Sequence, residues 1–179
     1  MSDISRRHRL IVIAAALCLL YVFNLWLTNV LRELAGVGTI WTANAFVIAA
    51  VLLLPSRWTA ACLALGFSLQ TAIILAFGHP AYAAVGYAAL NVVEAMAVVH
   101  LARRLNAVRL TTPGRFARLI FFALAPVLLV ATLLLGVGTL VIEGNFPGEM
   151  LVNRFAAKFL GMSMVLPAIL LLCQSGRRL

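Results

Sequence analysis

Polar residues in this chain fall between long apolar runs and seldom within them. Six runs follow one another at about Leu10–Leu31, Thr39–Leu54, Trp58–Phe77, Pro80–Ala102, Phe116–Ile142 and Met150–Cys173. A membrane-spanning helix needs about 20 predominantly apolar residues. The pattern therefore predicts an all-α polytopic bundle of six spans, forming a single integral membrane domain over residues 1–179. The second run is short and stops at Pro55, which cannot continue a helix, so a steep or partly re-entrant segment is expected there. Pro80 suits the first turn of the fourth span. The fifth run is long enough to tilt, with a kink expected at Pro126, and Pro167 predicts a second kink in the sixth.

Composition removes the alternative of a water-soluble globule. Hydrophobic residues make up 64% of the chain, charged residues 11%, and the mean hydropathy is +1.08. A soluble domain is about half apolar and about a quarter charged. The net charge of +9 does not point to nucleic acid, because no basic face with interleaved aromatics lies outside the apolar runs. The arginines cluster in short loops, as membrane topology demands. With six spans, Arg6, Arg7, Arg9, Arg57, Arg103, Arg104, Arg109, Arg115, Arg118, Arg177 and Arg178 all fall on one side, against Arg32 alone on the other. This bias predicts that both termini are cytoplasmic.

The basic segment Ser5–Arg9 before an apolar run could open an export signal, but the run is too long for one and lacks a convincing cleavage site. It reads as a retained first helix. Cys18, Cys62 and Cys173 match neither a metal site nor a disulfide frame and read as small packing residues. Ala84, Gly86, Ala88, Ala89, Ala95 and Ala97 make the fourth span small-sided, as do Ala60, Ala64 and Gly66 in the third. Such residues let helices approach closely, and they mark the fourth span as central.

Within the hydrocarbon the exceptions carry the chemistry. Glu94 lies in the middle of the fourth run, and an intramembrane acid is a functional-site hypothesis by default. At 1.5 Å rise per residue, Asn24, Asn44 and Gln70 lie roughly 10 Å below the outer boundary, Lys158 roughly 12 Å, Asn91 roughly 15 Å and Glu94 roughly 20 Å. These groups come from five helices and concentrate in the outer half, so they are expected to share a hydrated pocket open to the outside, with Trp41 and Tyr82 near its mouth. Glu94 must be neutral, paired or hydrated, and Lys158 is the deep cation that could pair with it. Asn91 shares its helical face. The bland alternatives are separate interhelical hydrogen bonds for the four amides, interfacial anchoring for Trp41 and Tyr82, and a Lys158 that reaches for the headgroups. Arg154, one turn above Lys158, is expected to reach them. His79 and His100 fall near the boundaries. No nucleophile–base pair, metal-ligand cluster, paired aspartates or phosphate loop is present, so no enzyme activity, cofactor or metal is expected.

Three segments resemble the type-one membrane-associated sensor family, MASE. They are Trp41-Thr42-Ala43-Asn44-Ala45 leading to Leu54-Pro55, then Asn91-Val92-Val93-Glu94-Ala95 followed by Arg103-Arg104-Leu105, and finally Phe159-Leu160-Gly161 with Leu166-Pro167. The resemblance covers about Trp41 to Leu172. The chain departs from the family in having Ala43 and Ala45 where proline and glycine are usual, Met162 where an aspartate is usual, and six spans where eight are common. The resemblance implies a sensory domain in a bacterial inner membrane. It would perceive an unidentified ligand, or the bilayer itself, and pass the signal through the sixth helix to a cytoplasmic histidine-kinase or diguanylate-cyclase module, fused or separate. A homodimer is compatible with this reading. Size and span count also resemble the substrate-capture subunits of energy-coupling-factor vitamin transporters, which keeps solute transport as the alternative.

Overall fold

The computed structural model describes residues 3–35, 41–144 and 148–175. Arg177, Arg178 and the start expected for the second span at Thr39 lie outside them. The described residues are helical, without strands: α1 (Asp3–Ala35), α2 (Ala43–Leu53), α3 (Thr59–Ala76), α4 (Ala81–Arg104), α5 (Pro113–Ala117), α6 (Ala125–Glu143) and α7 (Gly148–Ser175). A 3-10 turn, Ser56–Trp58, leads into α3, and a π-helical segment, Arg118–Leu124, joins α5 to α6. Five helical stretches are long and apolar enough to cross a membrane. The sixth, α2, is not. Its 11 residues rise only about 16 Å, against a hydrocarbon core of about 30 Å.

This short helix occupies the centre. α2 packs against α1, α3, α4 and α7, while α1, α3, α4, α6 and α7 form an arc around it through successive contacts. Ala43, Ala45, Ile48 and Ala49 are wholly buried. An isolated helix of this length is marginal, so α2 owes its existence to the surrounding packing. The fourth span, expected to be central from its small residues, has a divided surface. Ala84, Ala88, Asn91, Ala95, Val98 and Ala102 alternate at spacings of four and three and face inward, whereas Gly86 and Ala89 face outward. This inward stripe is the seam that admits neighbouring helices. Gly66 of α3 makes a similar approach: a Cβ there would stand 3.2 Å from a Val47 methyl carbon, and its carbonyl accepts a 2.9 Å hydrogen bond from the Tyr21 hydroxyl.

The prolines behave differently from one another. Pro126 has no N–H to donate to the Phe122 carbonyl. The backbone changes to π-helical hydrogen bonding just ahead of it, over Arg118–Leu124, and returns to α at Ala125. Pro167 is accommodated inside α7. At its C-terminus α4 closes with Asn106 in the left-handed region (φ 52°). The Asn106 and Ala107 N–H groups donate to the Arg103 and Ala102 carbonyls at 3.2 and 2.9 Å, a Schellman cap with asparagine in the place glycine often takes.

Candidate functional site: a buried four-residue polar cluster

Four polar side chains from three helices meet in the interior. Asn91 and Glu94 lie one turn apart on α4, Asn44 sits in the first turn of α2, and Lys158 projects from α7. The Lys158 ammonium donates to Glu94 Oε2 at 2.6 Å and to Asn91 Oδ1 at 2.8 Å. Asn44 Nδ2 donates to the other carboxylate oxygen, Oε1, at 2.7 Å. The charges dictate how the two amides are turned: the carboxylate can only accept, so Asn44 offers its NH2, and the ammonium can only donate, so Asn91 offers its carbonyl. Glu94 is 1% exposed and Lys158 3%.

The backbone explains why the groups meet at one depth. α2 begins inside the protein, with Asn44 in its first turn. Its free N–H groups carry the positive end of the helix dipole, which favours a nearby carboxylate. From the Asn44–Glu94 contact, α2 and α4 run in the same direction to a second contact, where Arg103 Nη2 donates to the Val51 carbonyl at 3.0 Å. Seven residues on one helix match nine on the other over about 10–14 Å. The chain entering α2 is tied to α7 by the Trp41 N–H, which donates to the Ala157 carbonyl at 3.2 Å, next to Lys158.

The offset of about 8 Å expected between Glu94 and Lys158 from uniform, upright helices does not keep them apart: the two side chains meet at 2.6 Å. Lys158 does not reach for a headgroup. Arg154 lies with its guanidinium carbon 5.0 Å from the Tyr87 ring centroid. Among the described residues none of the other expected members hydrogen-bonds to a side chain of the cluster. Gln70 is buried on α3, Asn24 of α1 keeps its Oδ1 buried without a hydrogen-bond partner among the described residues, and so does Trp41 with its indole nitrogen. Tyr82 is 72% exposed, as an interfacial ring would be. The four side chains that do meet are nearly wholly buried, and the Asn44 carbonyl, the Asn91 NH2 and one N–H of the ammonium have no hydrogen-bond partner among the described residues. An apolar groove of about 220 Å³ lies elsewhere, between α1, α2 and α3, where Leu17, Tyr21, Phe46, Ala50, Cys62 and Leu69 form part of its wall.

One contact was not anticipated from the pattern. Gln174, in the last turn of α7, clamps the loop after α4: its Nε2 donates to the Val108 carbonyl at 2.7 Å, and its Oε1 accepts from the Leu110 N–H at 3.2 Å. A glutamine ending an apolar run carries no sequence signal beyond its polarity. α7 thus holds Lys158 in the interior and Gln174 on the arginine-rich loop, about 24 Å further along the helix. Among the described residues no group of three His, Cys, Asp or Glu side chains converges as a metal site. Comparison with family models, curated proteins and solved structures finds no match, so the chain is placed by its helical architecture and its buried cluster alone.

Proposed function

We propose that the chain is a membrane-embedded sensory domain in which α7 transmits the state of the Glu94–Lys158 pair to the arginine-rich end of the bundle. The observation that carries this reading is the double attachment of α7, through Lys158 at the cluster and through Gln174 at the Val108–Leu110 loop. A change in the pairing of Glu94 alters the force on one helix, and that helix grips a loop about 24 Å away. In this reading α7 is the two-state element a switch requires. Pro167 lies between the two attachments and removes a backbone hydrogen bond where α7 would flex. The role is non-catalytic, and the receiver is a cytoplasmic effector of the kinase or cyclase kind that the MASE resemblance implies. The capture-subunit alternative draws less support, because the four polar side chains of the cluster are nearly wholly buried.

In this reading the protein lies in a bacterial inner membrane with six crossings, the second of them built on α2, and with both termini cytoplasmic. Impermeant thiol reagents applied from outside should label Glu149→Cys and spare Asn106→Cys, in a background without the native cysteines. External labelling of Asn106→Cys would overturn the orientation.

The transmission itself is tested with nitroxides at Asn106→Cys and Leu172→Cys in liposomes. Glu94→Gln and Lys158→Met should each shift or broaden the distance distribution by about 2 Å or more, the size of a typical helix displacement. Identical distributions in both variants and the wild type would show that α7 does not report the state of the cluster.

A further inference from the structure

We infer that the segment Arg103–Arg118 is a binding site for anionic phospholipid headgroups. This rests on the chain spanning a membrane and holds whether or not α7 acts as a transmitter. Five arginines, at 103, 104, 109, 115 and 118, lie within it, and the sequence from Ala95 to Ile142 contains no aspartate or glutamate. Glu94, the nearest acid, is already paired with Lys158. No ion pair among the described residues neutralises the positive charge of this segment.

Two of the arginines serve the fold. Arg103 donates to Val51, and Arg115 donates to the Arg109 carbonyl and the Thr111 hydroxyl at 3.4 and 3.0 Å. The side chains of Arg104, Arg109 and Arg118 are exposed and make no hydrogen bond or ion pair among the described residues. They are displayed on a braced scaffold. The Schellman cap holds the end of α4, Ala107 and Leu110 are buried, and Gln174 binds the loop on either side of Arg109. Bracing of this kind lowers the ordering entropy that binding must offset.

Apolar side chains on the same segment distinguish a lipid from other anions. Phe116, Phe121 and Phe122 are 41%, 63% and 63% exposed. Phe121 and Phe122 lie on the π segment that begins at Arg118, so the chain passes from guanidinium to exposed aromatic within about one turn. A phospholipid carries the same order of groups, with a phosphate above acyl chains. A free phosphate or an acidic protein segment would leave the phenylalanines unused. Arginines near an anionic bilayer surface contribute about 1 kcal/mol each, which makes three free guanidiniums a measurable site.

The full chain in detergent, titrated with phosphatidylglycerol or phosphatidylcholine and observed by native mass spectrometry, tests this. The first phosphatidylglycerol should bind at least tenfold more tightly than phosphatidylcholine. The triple variant R104Q/R109Q/R118Q should lose about a hundredfold in phosphatidylglycerol affinity with phosphatidylcholine binding unchanged, and R104K/R109K/R118K should retain most of it. If the triple variant does not fold, Arg109→Gln alone should lose about fivefold. Equal binding of the two lipids would mean that the arginines serve topology only and would overturn the site. So would unaltered affinity in the glutamine variants. Displacement of phosphatidylglycerol by millimolar inorganic phosphate would assign the site to a free anion, and tighter binding of a glutamate-rich peptide would assign it to a protein. Either result also overturns the inference.

Discussion

Lys158→Met is expected to destabilise the bundle by about 3–5 kcal/mol, the range for breaking a buried ion pair by removing one partner. The variant keeps the length and much of the volume of the side chain and removes its charge. Glu94 would then hold a carboxylate in the interior with Asn44 as its one remaining donor in the cluster, and Asn91 Oδ1 would lose its 2.8 Å partner. Glu94→Gln is the reciprocal lesion, leaving the ammonium without its counter-ion. The double variant Glu94→Gln/Lys158→Met should be no less stable than either single, because each change removes the charge that the other strands. Steric trapping or thermal unfolding in one detergent gives the four stabilities. Strictly additive losses would mean that the 2.6 Å contact carries no energetic coupling.

Asn44→Asp and Asn91→Asp should differ sharply, although both exchange an amide for an isosteric acid. Asn44 Nδ2 faces Glu94 Oε1 at 2.7 Å, so Asn44→Asp sets two carboxylates against each other with one nearby cation. Like charges at that distance cannot both remain ionised; one must take up a proton or the helices must part. Destabilisation by roughly 3 kcal/mol or more is expected, comparable with loss of the ion pair. Asn91 faces the ammonium through its oxygen, so Asn91→Asp supplies Lys158 with a second anion and should be tolerated by a margin of about 2 kcal/mol relative to Asn44→Asp. Thermal midpoints of the two variants decide the matter, and equal midpoints would contradict the assigned amide orientations.

The cluster also shows how far linear reasoning carries. An acid mid-span, an asparagine three residues earlier and a lysine in the last apolar run single themselves out, because hydrocarbon tolerates few such groups. That Asn44 belongs with them, and Asn24 and Gln70 do not, was not legible. Depth estimates assume that every helix starts at the membrane boundary and stands upright. α2 violates the first assumption by starting in the interior, which brings its first turn to the level of Glu94. The central role went to α2 and not to α4 for a related reason. Small residues show where helices can approach, but enclosure depends on which helix is short enough to be surrounded.

By itself, the sequence determined the helical class, the approximate bounds of the long spans, the crowding of arginines into a few short segments and the shortlist of intramembrane polar groups. These follow from local rules: apolar length, proline chemistry and the aversion of charge to hydrocarbon. Only the tertiary structure decided that Glu94, Lys158, Asn91 and Asn44 close on one another, that Pro126 is preceded by a π segment, and that Gln174 fastens α7 to the loop after α4. The physical reason is that a hydrogen bond over 50 or more residues of separation depends on helix start points, relative depth and rotation together. No periodicity along one helix records the depth or rotation of its neighbour.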